Sequence, residues 1–190
     1  MNRVEIVPGD IILVNNLKGG WFQKAIRFFG ESRWTHTAVG FFPAGGKDMI
    51  FEANMAVTTS EASSIIGNPD FDVKVYRWRS TPSTSALWDV YDRFNGHIYG
   101  VSQLPWLVWR WLVKRLTKKD LKNGHNWFPN GGEICTEVSY RYIQGNGMQE
   151  TANYSADCLY PRDIESLMDS AVRDGEAEIV YKQIGPFLVP

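Results

Sequence analysis

The chain has 190 residues, a formal net charge of -1 and 44% hydrophobic residues, enough for one domain spanning residues 1–190 that builds its own core without disulfides or a structural metal. The balanced charge excludes nucleic acid as the main partner. The two cysteines, Cys135 and Cys158, do not form a disulfide framework and read as free thiols in a reducing compartment. The first ten residues carry no apolar run behind a basic region, so a chain made without a secretory signal and cytoplasmic as synthesised is expected, with lysis or a phage particle as other routes of delivery.

In chain order, a Pro8-Gly9-Asp10 turn leads into the apolar run 11–14, a buried strand by its continuity. Residues 21–29 have helical spacing, with Trp21, Phe22, Ala25, Ile26, Phe28 and Phe29 mostly on one side, and Gly30 ends the helix. Strands follow over 35–42 and 49–53, joined as a hairpin through residues 43–48 with their proline and glycines, and a third over 73–78 alternates apolar and polar side chains. Thr81-Pro82-Ser83 opens a helix over 86–94 that Asn95-Gly96 stops.

Residues 101–116, from Val101 to Leu116, are rich in tryptophan, with Arg110, Lys114 and Arg115 between apolar side chains. The segment is too short and too charged to span a bilayer. Core packing is the first reading of such an aromatic stripe; an amphipathic surface that lines an acyl groove or makes peripheral membrane contact is the second. Beyond a polar loop, a cysteine-bearing helix begins near residue 135 and an amphipathic helix covers 161–171, and the tail 179–189 adds a strand. Asp163, Glu165, Asp169, Asp174, Glu176 and Glu178 read as a solvated face. Strands and helices mix without strict alternation, which gives an α+β class with an antiparallel sheet packed against helices.

The chemistry concentrates at Cys135. Gly131-Gly132-Glu133-Ile134-Cys135-Thr136-Glu137 reads as a glycine-rich turn that delivers a cysteine to the first turn of a helix, where the dipole and the unpaired N–H groups favour thiolate over thiol. A cysteine nucleophile needs a base, and the base needs a polar partner to fix its tautomer. His36 at the start of a strand suits the first role, and Glu52, a charge in an otherwise apolar strand, suits the second if the hairpin pairs in register. Asp48 or Asn54 would be the other partners within reach, and a solvent-facing strand charge is the bland reading of Glu52. Cys158 reads as structural, and His97 and His125 as turn or surface residues. No two histidines or cysteines have metal-ligand spacing, so neither metal nor organic cofactor is expected.

Pro8-Gly9-Asp10-Ile11-Ile12-Leu13-Val14, Thr35-His36-Thr37-Ala38-Val39-Gly40-Phe41 and Ile50-Phe51-Glu52-Ala53 resemble motifs that follow the nucleophile in NlpC-type cell-wall peptidases of the papain-like superfamily. Here they precede Gly132-Glu133-Ile134-Cys135-Thr136-Glu137-Val138, the order of the circularly permuted branch that includes YiiX-like hydrolases and lecithin:retinol acyltransferase relatives. Gly96-His97-Ile98-Tyr99-Gly100 is similar to that group's glycine-x-proline-tyrosine motif, with Ile98 in place of proline. The resemblance spans residues 8 to 165. It implies a permuted papain-like fold in which Cys135 is the nucleophile, His36 the general base and acid, and Glu52 the orienting residue. Tyr99, Ile134 and Thr136 are secondary candidates for contacts to substrate or oxyanion, beside the backbone N–H of Cys135. The implied substrates are a peptide, peptidoglycan, or an acylated or lipid molecule.

Overall fold

A computed structural model of the chain describes residues 4–54, 56–98, 104–121, 135–156 and 159–185, with the backbone alone for 104, 106 and 107. Its centre is a six-stranded antiparallel sheet built from β1 (Ile11–Asn16), β2 (His36–Ala44), β3 (Lys47–Ala53), β4 (Val57–Glu61), β5 (Phe71–Trp78) and β6 (Ala177–Gln183), in the order β4-β3-β2-β1-β5-β6. The helices are α1 (Trp21–Gly30), α2 (Thr84–Phe94), α3 (Leu104–Thr117), α4 (Cys135–Gly145) and α5 (Pro161–Arg173). This is the mixed α+β architecture expected from the unordered succession of strands and helices.

The β2–β3 connection is tighter than its sequence suggests. Pro43 and Ala44 extend β2, and only Gly45 and Gly46 turn the chain, at φ of 58° and 73°. Two consecutive positive φ values match the twist of a two-residue hairpin, and glycine adopts them without a Cβ clash. The register pairs Ala38 with Glu52 and Val39 with Phe51. β4 was not anticipated: its residues Val57-Thr58-Thr59-Ser60-Glu61 have no apolar alternation, and the strand is defined by pairing along β3. α1 runs one residue further than expected, and its terminating left-handed residue is Glu31 at φ 48°.

The Pro8-Gly9-Asp10 motif folds onto β2. The Gly9 N–H donates to the Gly40 carbonyl at 2.9 Å and the Gly40 N–H to the Asp10 carbonyl at 2.7 Å. A Cβ on Gly40 would lie 2.2 Å from the Val7 carbonyl oxygen, so only glycine allows this approach, and the two motifs belong to one unit.

Apolar side chains on the two sheet faces form two cores. Leu13, Val39, Phe51 and Tyr76 pack with Leu87, Val138, Tyr142 and Ile164 of α2, α4 and α5. On the other face Ile12, Ala38, Ile50 and Val75 pack with Ile6 and with Ala62 and Ile65 after β4. α2 begins at Ser83, whose hydroxyl accepts from the Ala86 N–H at 3.1 Å, as its sequence indicates.

The acidic run near α5 is not a uniformly solvated face. Asp163 is buried, accepting from Arg110 Nη1 at 2.7 Å and from the Tyr160 N–H at 2.8 Å. Glu165 and Asp169 hold Lys74 of β5 at 3.1 and 2.9 Å. Each of these charges sits where an apolar surface would otherwise leave a buried cation unpaired.

Candidate active site

His36 opens β2, and Cys135 opens α4. A hydrogen bond ties the two openings together: the Thr37 hydroxyl donates to the Cys135 carbonyl at 2.8 Å and accepts from the Ser139 hydroxyl at 2.9 Å. Thr37, Ser139 and Cys135 are buried, so the start of the helix is fixed to the strand by bonds that water does not weaken.

The register explains the next step. Glu52 sits opposite Ala38, and His36 lies two residues along β2 from Ala38, on the same sheet face and one diagonal step from Glu52. Ser60 of β4 pairs with Ile50, again on that face. A row across three strands results: His36 Nε2 lies 2.6 Å from Glu52 Oε2, and the Ser60 hydroxyl donates to Glu52 Oε1 at 2.5 Å. Glu52 is therefore no solvated edge charge; it is only 6% exposed. Asp48 is occupied elsewhere, accepting from the Ile6 N–H at 3.2 Å.

The imidazole of His36 and the thiol of Cys135 are near enough to shift each other's titration. By register the imidazole belongs to the face away from α4, and it meets the thiol at the end of β2, where both elements begin. Burial alone would lower the His36 pKa, but the charge and hydrogen bond of Cys135, and then those of Glu52, outweigh it and push the imidazole up to about 10. For Cys135, burial raises the thiol pKa, while the His36 charge and hydrogen bond, helped by the Thr37 N–H, bring it below the ordinary thiol value. Burial likewise raises the Glu52 carboxyl, and the hydrogen bond and charge of His36, with the Ser60 hydroxyl, take it below the usual carboxylate range. The three groups thus favour one proton arrangement, with thiolate, imidazolium and carboxylate in sequence.

The structure brings Cys135, His36 and Glu52 together. Thr136 is buried and its hydroxyl donates to the Leu159 carbonyl at 3.1 Å. Tyr99, Ile134, Cys158, His125 and the glycine-rich turn before Cys135 lie outside the described residues. His97 is exposed, with its backbone N–H bonded to Phe94 and its carbonyl to Val57. Sequence reasoning missed Ser60 and Thr37. Ser60 lies in the unanticipated strand, whereas Thr37 was visible as a polar residue alternating with Ala38 and Val39 inside a buried strand.

No protein-family model matches the chain, and no curated protein matches it. A solved structure, the metalloprotein yiiX from Escherichia coli O157:H7, is similar over 96% of this chain and 100% of that one, with a TM-score of 0.51 and 17% identity. At that identity the likeness is one of fold, and this chain has a yiiX-like mixed α+β fold. Because that protein is described as a metalloprotein, a resident metal is worth testing against the residues here. Among the described residues no group of three or more His, Cys, Asp and Glu side chains is arranged to hold a metal ion, and His36 Nε2 is already taken by Glu52. The described residues do not fit one.

Proposed function

We propose that the chain is a cysteine hydrolase of the circularly permuted papain-like type, which cleaves an amide or ester bond through Cys135, His36 and Glu52. The observation that carries this reading is the imidazole held by a buried carboxylate at 2.6 Å and near enough to the helix-opening cysteine to lower its thiol. Neither a core cysteine nor a strand histidine needs that arrangement for packing.

The chemistry follows from the proton positions. The Cys135 thiolate attacks the substrate carbonyl carbon, and the electron pair of the carbonyl bond moves onto oxygen. The oxyanion is stabilised by N–H groups at the start of α4, which have no intrahelical partner. As the tetrahedral intermediate collapses, the bond to the leaving group breaks and the His36 imidazolium gives that group its proton, leaving a thioester on Cys135 and a neutral imidazole. His36 then takes a proton from water, the hydroxide equivalent attacks the thioester, and the carboxylic acid product departs as the thiolate and imidazolium reform. Glu52 keeps its charge throughout, orients the ring through Nε2 and stabilises the imidazolium. Ser60 holds Glu52 in place.

A peptide, a peptidoglycan peptide and an acylated or lipid substrate all present the carbonyl this chemistry needs. With another nucleophile in place of water, the same thioester gives acyl transfer. The test is incubation with an activated acyl ester such as p-nitrophenyl acetate, followed by intact and peptide mass spectrometry. Stoichiometric acetylation of Cys135 that turns over slowly in wild type and is absent in Cys135→Ala is expected. Acetylation spread over lysines, with none on Cys135, would contradict the reading.

A further inference from the structure

α3 is inside out for a helix of a water-soluble domain. Its central charge, Arg110, is fully buried, donating to Asp163 at 2.7 Å and to Asp120 at 2.7 Å, and Lys114 on the next turn pairs with Glu31. Three of its apolar side chains face water: Trp109 is 50% exposed, Leu112 37% and Leu116 73%, while Val108, Trp111 and Val113 are half-buried. The three exposed ones, with exposed Pro105, fall at i, i+4, i+7 and i+11, a single stripe along the helix. The core packing anticipated for this segment therefore holds for only one side, where Trp111 lies 5.5 and 5.3 Å from the rings of Phe28 and Phe29.

α1 continues the surface. Trp21 and Phe28, one heptad apart, are 75% and 62% exposed, and Phe28 touches α3 through Trp111. Lys24 is exposed between them on the same face of α1, and Lys118 and Lys119 are exposed just past Leu116; none of the three makes an ion pair among the described residues. Arg115 is exposed with its guanidinium over the Trp111 ring, 5.4 Å from the centroid. The patch is therefore two adjoining aromatic and aliphatic stripes bordered by cations.

We propose that the α1–α3 face is a docking surface for an anionic lipid bilayer, on which the chain rests peripherally. No helix among the described residues is long and apolar enough to cross a membrane, so the contact is interfacial. Tryptophans seat at headgroup level, leucines enter the acyl boundary, and the bordering lysines and Arg115 meet lipid phosphates. Charge complementarity selects the lipid surface over a second copy of the chain, whose own patch would bring Lys24, Lys118 and Lys119 against like charges. The proposal stands independently of the thiol chemistry.

The experiment is sedimentation with vesicles of equimolar phosphatidylcholine and phosphatidylglycerol, beside phosphatidylcholine alone, for wild type, Cys135→Ala, Leu112→Ser/Leu116→Ser and Lys118→Glu/Lys119→Glu. Both leucines are exposed, so circular dichroism is expected to show the double variant folded. Wild type and Cys135→Ala bind the anionic vesicles alike, the leucine variant partitions at least about tenfold more weakly, and the lysine variant loses its preference for phosphatidylglycerol. Failure of folded wild type to bind, or binding unchanged in the leucine variant, overturns the proposal. So does self-association in sedimentation velocity that the leucine variant abolishes without any vesicle binding.

Discussion

His36 is the residue on which the account turns, because one ring links the carboxylate that orients it to the thiol it charges. Under the proposed mechanism its raised pKa would set the alkaline limit of activity and the lowered pKa of Cys135 the acid limit. A bell-shaped profile is expected, with its alkaline limb at about 10 and its acid limb below the ordinary thiol value. In Glu52→Gln the amide oxygen still accepts from Nε2, so the ring stays in place, but the negative charge is gone. The alkaline limb then moves down by about one unit or more. Initial rates against pH with an activated ester check this; a limb that does not move would mean that Glu52 only positions the ring. Cys135, His36 and Glu52 were all legible in the sequence, since each breaks its local pattern: a thiol after a glycine pair, an imidazole opening an apolar strand, a carboxylate inside one. Ser60 was not, because a serine among Thr58, Thr59 and Glu61 breaks nothing.

At the scale of elements, α4 and β2 act as one unit through Thr37. Its hydroxyl both donates to the Cys135 carbonyl and accepts from Ser139 in a buried setting. Thr37→Val preserves shape and leaves the Ser139 hydroxyl without its acceptor, so a loss of about 1–3 kcal/mol is expected in urea unfolding. An unchanged midpoint would show that apolar packing alone seats the helix. Most elements could be read from the sequence because their signals are local: the apolar run of β1, Ser83 before α2, Gly45-Gly46 between β2 and β3. β4 could not, since only its pairing with β3 creates it, and the burial of Asp163 depends on an arginine 53 positions away.

For the whole molecule, the thiol and imidazole link stability to pH. The raised imidazole of His36 contributes stability that is fully present below 6.5, its ordinary value, and the lowered thiol of Cys135 contributes stability that is present above 9.0 and lost as pH falls through its folded value. Above 9.0 and up to about 10 the folded chain keeps a proton that the unfolded chain has lost, and stability falls as pH rises. At the acid end the lowered carboxyl of Glu52 contributes stability that is lost as pH falls through its folded value. Urea unfolding across this range is expected to show a fall in stability toward pH 10 that His36→Ala lacks; parallel curves for the two proteins would contradict the linkage. α3 shows where composition misleads at this scale. Its tryptophans and leucines suggest a core helix, yet the buried Arg110–Asp163 pair turns its charged side inward and leaves the apolar stripe outside. The most direct test of the central claim is the pH profile of iodoacetamide labelling, resolved by peptide mass spectrometry into Cys135 and Cys158, for wild type and His36→Ala. The account predicts that Cys135 labels well below the ordinary thiol pKa of about 8.5, and that this labelling is lost or shifted up in His36→Ala. Slow labelling of Cys135 with no dependence on His36 would contradict it.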